Sequence, residues 1–226
     1  VYAACAGFPL QILLGSNLIE SKNAKNIITL ASSHNLTAER QFRYPTEYGC
    51  PKKGTATCTL TACVSMLLTN EKTNIKVSGG LIGKVVNLGI NDVNNMGAVM
   101  APACADTIYT YLQNAHETVK DYDLILTGDL GKVGLNILKE YYEKVYNERL
   151  NKIMDAGDEI FLETSQYSGG SGPVCLPLVF LTKILKNKKY KKILIVGSGS
   201  LHNPTLVNQG KEIPAISHLV KIEVLL

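Results

Sequence analysis

The sequence has few cysteines, few histidines and no uninterrupted apolar run long enough to cross a membrane. Six cysteines in 226 residues are too few for a disulfide scaffold, so we expect reduced thiols in a cytosol-like compartment. No two cysteines have Cys-x-x-Cys spacing, and the four histidines do not cluster with them, so we expect no metal site and no cofactor. No stretch reaches the ~18 apolar residues of a membrane span, and the apolar start lacks the basic region of a signal peptide.

The chain also has no large excess of charge of either sign. Charged residues make up 19% of the chain and hydrophobic residues 46%, which is typical of a globular protein, and the net charge is +4. The lysines are dispersed except for one run at positions 186–192, which we interpret as the solvated end of a helix rather than a nucleic-acid or acidic-lipid patch. We therefore expect no nucleic-acid partner. The sequence opens without Met on an apolar segment, which suggests a fragment of a longer protein.

Hydrophobic periodicity predicts a mixed α/β protein. A first helix is predicted to begin near Phe8, and two loops are predicted at residues 33–55 and 169–172. Further helices are predicted over residues 98–120, 135–145 and 173–185. Strands are predicted over residues 26–32, 56–68, 75–88, 122–128, 158–164, 193–197 and 216–225. This order of elements suggests two related halves.

Cys5 lies among small residues in the turn before the first predicted helix. A sulfur at this place would lie near unpaired backbone N–H groups and the positive end of the helix. That environment lowers the pKa of a thiol and favours a nucleophile or an anion site. The alternative is a buried structural cysteine, since free cysteine is among the most buried residue types.

Three glycine-rich segments are candidate binding loops. Residues 128–134 have the spacing Gly-x-x-Gly-x-x-Gly between a strand and a helix, which indicates either a nucleotide loop or a plain turn. Residues 169–172 differ from a nucleophile elbow because Pro173 replaces the final glycine, but they could form an anion cradle. The small-residue loop at residues 197–204 carries His202, which is either a base or a solvated turn histidine.

Motifs along nearly the whole chain resemble the stage V sporulation protein AD family. The most specific of them is the arginine-rich segment at residues 38–49. The others lie at residues 31–34, 82–86, 95–98, 100–103, 106–108, 122–134, 169–172, 209–214 and 216–218. On these motifs the sequence is identified as a member of that family, lacking the N-terminal third that its members carry ahead of Cys5.

The resemblance implies a fold similar to that of thiolases and ketoacyl synthases. We expect an α/β protein with two related βαβαβ halves in a five-layer αβαβα arrangement, in which residues 1–120 complete the first half and residues 121–226 form the second. The family belongs to the sporulation machinery that moves dipicolinic acid, as its calcium complex, into the developing spore. The resemblance therefore implies dipicolinate as ligand, membrane subunits of the dipicolinate channel and a second copy of the chain as partners, and a peripheral place at the spore inner membrane.

The resemblance also implies that thiolase chemistry is lost. The nucleophilic cysteine of that fold sits where Cys5 does. Gly128, followed by Asp129, stands in place of the thiolase asparagine, Gln166 in place of the histidine, and Ile195 in place of the second cysteine. An amide or an alkyl group cannot transfer protons at neutral pH. We therefore expect a binding protein whose site is formed by Cys5, Gly128, Gln166, Gly169, Gly170, Ser171, Ser198 and His202.

Two alternatives remain open. One is an acyltransferase of the thiolase class that uses Cys5 as nucleophile and His202 as base. The other is a structural subunit that docks membrane components of the channel through Arg40, Arg43 and the lysine run at residues 186–192.

Overall fold

The computed structural model describes residues 3–42, 53–161, 167–200 and 202–225. No helix within these ranges is long and apolar enough to span a bilayer. The helices are α1 (Gly7–Glu20), α2 (Asn35–Phe42), α3 (Met96–Ala115), α4 (Gly131–Tyr146), α5 (Ala156–Ile160), α6 (Cys175–Val179) and α7 (Pro204–Asn208). A π-helical turn (Phe180–Ile184) continues α6, and short 3-10 turns cover Ala4–Ala6 and Val119–Asp121.

The strands form one large sheet and two small ones. They are β1 (Asn26–Ser33), β2 (Thr57–Thr59), β3 (Ala62–Thr69), β4 (Ile75–Val86), β5 (Leu124–Gly128), β6 (Ile153–Asp155), β7 (Gly169–Ser171), β8 (Lys192–Ser200) and β9 (Ala215–Val224). The large sheet has the order β4-β9-β8-β5-β6, with β8, β5 and β6 parallel and β9 antiparallel to both of its neighbours. β1 pairs antiparallel with β3, and β2 pairs parallel with β7.

Helices cover both faces of the large sheet, so its central strands are apolar on both sides. Leu194 and Val196 of β8 face the core formed with α3 and α4, whereas Ile193 and Ile195 face the core formed with α1 and α6. The β1–β3 pair packs on the opposite side of α1, where Gly15 lies against Leu68 and Ile27. The described elements therefore alternate as helix, sheet, helix and sheet, which confirms the mixed α/β prediction.

The boundary between the sheets differs from the boundary expected between the two halves. β4 and α3 both precede residue 120, yet β4 is the edge strand of the large sheet and α3 packs on the face of that sheet. The chain therefore passes from one sheet to the other between β3 and β4.

Four local predictions are corrected by the structure. The predicted loop at residues 33–55 contains helix α2, and the rest of that loop is described only from residue 53 onward. The predicted strand at residues 56–68 is two strands, which belong to different sheets. The predicted strand at residues 158–164 begins inside helix α5, and residues 169–171 of the second predicted loop form strand β7.

Glycines allow α3 and α4 to cross at close range. A Cβ atom on Gly97 would lie 2.6 Å from the Cα atom of Gly134 and 2.7 Å from the carbonyl oxygen of Leu130. Asn95 caps the start of α3, because its Oδ1 accepts a hydrogen bond from the N–H of Ala98 at 3.2 Å. The crossing and the cap together fix where α3 meets the loop that follows β5.

Tyr142 of α4 gives a test of this packing. Its side chain is fully buried against Tyr109 and Tyr146, and its hydroxyl has no hydrogen-bond partner among the described residues. A buried hydroxyl without a partner costs about 1–3 kcal/mol. We therefore expect Tyr142→Phe to raise the free energy of unfolding, measured in urea, by about 1 kcal/mol.

The matched control is Tyr146→Phe, because Tyr146 belongs to the same aromatic cluster but is only partly buried. That change is expected to have a smaller effect. A loss of stability in Tyr142→Phe would show that the hydroxyl makes a favourable contact, and would contradict the prediction.

Candidate functional site

The turn that carries Cys5 is a 3-10 turn leading directly into α1, as expected from the position of Pro9. Cys5 is 8% exposed, and Ala4 beside it has a φ of 44°, which is unusual for a residue other than glycine. The N–H of Ala6 donates to the carbonyl of Ala3 at 3.0 Å, and the N–H of Gly7 donates to the carbonyl of Ala4. The prediction of unpaired N–H groups is therefore wrong for these two amides.

Two glycines of β8 allow this turn to pack against the sheet. A Cβ atom on Gly197 would lie 2.6 Å from the ring of Pro9 and 3.4 Å from the carbonyl oxygen of Cys5. A Cβ atom on Gly199 would lie 3.1 Å from the carbonyl oxygen of Ala3. The segment that was predicted as a loop from residue 197 therefore begins as a continuation of β8. Its two glycines have no side chain, and this makes room for the Cys5 turn.

The side chain of Ser198 lies on the opposite face of β8 from these glycines. Its hydroxyl is buried and donates to the carbonyl of Gly128 at 3.0 Å, which ties β8 to the end of β5. It also hydrogen-bonds the thiol of Cys104 on α3, whose pKa burial raises to about 12. The structure therefore places the Ser198 side chain away from Cys5, and its observed role is structural.

The loop after β5 is held by Asp155, which lies at the end of β6 and is fully buried. Its carboxylate accepts hydrogen bonds from the Thr127 hydroxyl at 2.8 Å and from the N–H groups of Leu130, Gly131 and Gly157 at 3.2, 2.8 and 2.9 Å. Burial raises the pKa of Asp155, and these hydrogen bonds partly offset that rise.

Ser168 completes the start of α4. Its carbonyl accepts from the N–H of Lys132 at 2.6 Å, and its hydroxyl accepts from the N–H of Val133 at 3.0 Å. Together with Asp155, Ser168 therefore binds the backbone donors that a phosphate would need. This arrangement favours a plain turn over a nucleotide loop at residues 128–134.

Asp129 follows Gly128 at this turn, and its carboxyl is fully buried. Its φ of 72° lies in the left-handed region, which aspartate tolerates better than most residues. The burial of this carboxyl was not predicted. From the sequence, Asp129 was notable only as the residue that follows Gly128, which stands in place of the thiolase asparagine.

Cys175 lies against β7. A Cβ atom on Gly170 would lie 3.4 Å from the Cys175 sulfur, and Cys175 itself is fully buried. Burial raises the pKa of this thiol well above its ordinary value, and the charges of Asp129, Asp155 and Cys5 raise it further. Cys175 therefore remains a neutral thiol at pH 7.

The other predicted site residues have different surroundings. Ser171 is buried in β7, where its carbonyl accepts from the N–H of Leu60 at 2.9 Å. Gly169 lies beside Gly157 of α5, and Gln166 lies outside the described residues. His202 is 3% exposed, so the interpretation as a solvated turn histidine is wrong.

A cleft of about 210 Å³ opens beside the Cys5 turn. Apolar residues line it, among them Ala4, Val85 and Ile216, and Ser200 is its one hydroxyl-bearing lining residue. The Ser200 Oγ atom is buried and has no hydrogen-bond partner within the described ranges. The cleft can therefore hold a small apolar group, with the buried Ser200 hydroxyl beside it.

Solved structures of condensing enzymes share this fold. 3-Oxoacyl-[acyl-carrier-protein] synthase III from Aquifex aeolicus VF5 is 14% identical, with a TM-score of 0.57 over 98% of this chain and 65% of that one. The tetronic acid condensing enzyme AbyA1 is 11% identical, with a TM-score of 0.59 over 98% of this chain and 66% of that one. OleA from Xanthomonas campestris is 14% identical, with a TM-score of 0.60 over 98% and 63%. The chain has the thiolase-like fold of the ketoacyl synthases.

Sequence comparison gives the family within that fold. The family model for Stage V sporulation protein AD (SpoVAD) matches residues 1–223. Stage V sporulation protein AD from Bacillus subtilis (strain 168) is 39% identical over 227 residues, which cover 99% of this chain and 67% of that protein. The chain belongs to the stage V sporulation protein AD family, as its motifs predicted, and spans about two thirds of the length of the relatives it matches.

Proposed function

We propose that this chain is a non-catalytic, thiolase-like binding subunit of the machinery that takes up dipicolinic acid into the developing spore. The observation that carries the proposal is the apolar cleft beside the Cys5 turn, with the buried Ser200 hydroxyl on its lining. Dipicolinate is a flat aromatic ring with two carboxylates, so its ring suits the apolar walls. One carboxylate can accept from Ser200 after that side chain rotates toward the cleft. Membership in a sporulation family supports the same ligand.

Two replaced positions support the non-catalytic part of the proposal. Ile195, in place of the second thiolase cysteine, is fully buried in the apolar core between β8 and α1. Gly128, in place of the thiolase asparagine, lies against Leu176 and carries no side chain. Neither residue can donate or accept a proton beside Cys5.

We propose that the preferred ligand is the calcium complex of dipicolinate, as the family resemblance implies, and that the free acid binds more weakly.

Isothermal titration with dipicolinate, with and without calcium, tests the proposal. The wild-type chain is expected to bind, and more tightly when calcium is present. Ser200→Ala is expected to weaken binding about threefold to tenfold, the usual value of one hydrogen bond. Ser78→Ala is the matched control, because Ser78 also carries a buried hydroxyl without a partner among the described residues but does not line the cleft.

Two results would overturn the proposal. Absence of heat at millimolar dipicolinate in both conditions would exclude the ligand. Equal effects of the two serine variants would exclude the cleft as its place.

An acyltransferase is the second candidate function, because the fold is shared with condensing enzymes and Cys5 precedes α1 as their nucleophile would. In that reaction the Cys5 sulfur attacks the thioester carbonyl and the thiol of coenzyme A leaves. Incubation with acetyl-CoA followed by mass spectrometry separates the two functions, with Cys5→Ala as control. We expect no stable acyl adduct, and an adduct that Cys5→Ala abolishes would favour the enzyme.

We extend the proposal to partners and location. Membrane subunits of the dipicolinate channel and a second copy of this chain are the proposed partners, at the spore inner membrane. The exposed lysines at residues 186–192 follow the π-helical turn and are available for such contacts. Arg43 lies outside the described residues, as does the side chain of Arg40.

A further inference from the structure

A second cleft, of about 670 Å³, opens at the opposite end of α1 from Cys5. α1 has 14 residues, so the two ends are about 20 Å apart. The last turn of α1, the residues joining β3 to β4, and the π-helical turn surround this cleft. A cleft of this size falls in the range of small-molecule sites, and it is separate from the dipicolinate site proposed above.

The walls of this cleft are continuous with the apolar core. Phe180 and Ile222 are 1% and 2% exposed and belong to the core cluster between the large sheet and α1. Ile19, Met66 and Leu181 line the cleft and pack against the same cluster. An aliphatic chain lying along these side chains would lose its contact with water on several sides.

The charged side chains lie where β3 passes into β4. Lys72 and Lys76 line the cleft and are exposed, and neither is ion-paired in the part of the chain that the structure describes. Glu20 and Glu71 also line it. The lining therefore carries two positive and two negative side chains, and its two flexible lysines are the groups that can meet an anionic head group while its chain is buried.

The π-helical turn is an independent indication of function. The N–H of Leu185 donates to the carbonyl of Phe180 at 2.9 Å, five residues earlier, so the helix is locally wider than an α-helix. Phe180, Leu181 and Leu185 of this region all line the cleft. π-Helical turns are rare and occur frequently at functional sites.

We propose that this cleft binds a single-chain anionic amphiphile of the fatty-acid type. Its aliphatic chain lies along Met66, Phe180 and Ile222, and its carboxylate lies at Lys72 and Lys76. Such a ligand is neither dipicolinate nor a substrate of the Cys5 site, so the proposal stands independently of the proposed function.

Displacement of fluorescent cis-parinaric acid by saturated fatty acids of increasing length tests the site on the full chain. Affinity is expected to rise about threefold to fourfold for each buried CH₂ group until the cleft is filled. Leu225→Glu, on the cleft lining, is expected to weaken binding at least tenfold. Leu206→Glu on α7 is the matched control, because the two leucines are 42% and 39% exposed and Leu206 does not line the cleft.

A charge-reversal pair tests the head group. Lys72→Glu with Lys76→Glu is expected to weaken fatty-acid binding severalfold and to leave binding of the uncharged alcohol of equal length unchanged. Lys188→Glu with Lys189→Glu changes the net charge equally on exposed lysines outside the cleft, and serves as the control. Equal loss in both pairs would show that net charge alone decides binding.

Other outcomes would overturn the site itself. Affinity that does not depend on chain length, or equal loss in Leu225→Glu and Leu206→Glu, would exclude the cleft. If Leu225→Glu does not fold by circular dichroism, Leu181→Ala, a smaller change on the same wall, takes its place with the same expectation. Dipicolinate titration of the variants distinguishes the two sites, since their dipicolinate affinity is expected to equal that of the wild type.

Discussion

Asp155→Ala is expected to lower the free energy of unfolding by about 3–5 kcal/mol, the largest effect of a single substitution that we predict. The alanine leaves three backbone N–H groups without their buried acceptor, and each buried donor without a partner costs about 1–3 kcal/mol before relaxation. The Thr127 hydroxyl keeps a second acceptor, the carbonyl of Met154 at 3.2 Å. Urea unfolding followed by circular dichroism measures the loss. Asp158→Ala is the control, because Asp158 is exposed and lies only three residues away. A loss below about 1 kcal/mol would contradict the role given to Asp155.

The same carboxylate gives stability a pH dependence of known sign. Burial raises the pKa of Asp155 above its ordinary value of 3.8, so the folded protein holds this proton more tightly than the unfolded chain does. The proton-linked part of the stability, as distinct from the hydrogen bonds that Asp155 accepts, is therefore full below pH 3.8 and is lost as the pH rises through the folded-state pKa of Asp155. The amide introduced by Asp155→Asn cannot titrate. The free energy of unfolding of the wild type minus that of Asp155→Asn is therefore expected to decrease as the pH rises through the folded-state pKa of Asp155. A difference that grows with pH would contradict the raised pKa.

Gly157→Ala is expected to lower the free energy of unfolding by about 3 kcal/mol. A Cβ atom at this position would lie 2.2 Å from the carbonyl oxygen of Gly170 and 2.9 Å from Asp155 Oδ1. Because the closest atom belongs to the backbone, α5 and β7 must separate, and overpacking of this kind costs about 1–3 kcal/mol or more. The displaced strand contains Gly170, which lies against Cys175.

Gly54→Ala is the control for this substitution, since a Cβ atom there would meet no described atom within 4 Å. Unfolding in urea is measured on both variants. If Gly157→Ala is as stable as Gly54→Ala, then the contact between α5 and β7 is not rigid.

Periodicity predicted the elements that are buried on a regular face. The helices that became α1, α3 and α4, and the strands that became β1, β5, β8 and β9, are all found in the structure. Their apolar residues repeat at the helical or strand spacing because one or both faces of each element pack against a neighbouring layer of the fold. These are also the elements that place Cys5 and the loop after β5.

Short elements near the site were not predictable in the same way. The alternating threonines around residue 60 read as one strand, but β2 pairs with β7 and β3 pairs with β1, and periodicity does not encode partners. The start of α5 did carry a local indication. Asp155 caps it and Asp158 lies in its first turn, which is typical of a helix N-terminus.

The position of the Cys5 turn was predictable, whereas its role as a binding site stays a prediction. The turn lies directly before α1, as expected, and Gly170 lies beside Cys175. The Ser198 side chain points away from Cys5. Successive residues of β8 face opposite sides of the sheet, so Gly197 and Gly199 face the Cys5 turn whereas Ser198 faces α3. The roles of Asp155 and Ser168 depend on contacts between residues 24 and 35 positions apart, which a local pattern does not contain.

These long separations also matter for the order in which the chain is made. A ribosome adds residues from the N-terminus, so all of α4 is synthesised before Asp155 and Ser168 exist. The amides of its first turn must remain hydrated until both later segments arrive, and only then does the turn beside Asp129 become fixed. The shape of the turn after β5 is thus acquired only once residue 168 has been made, well after the turn itself.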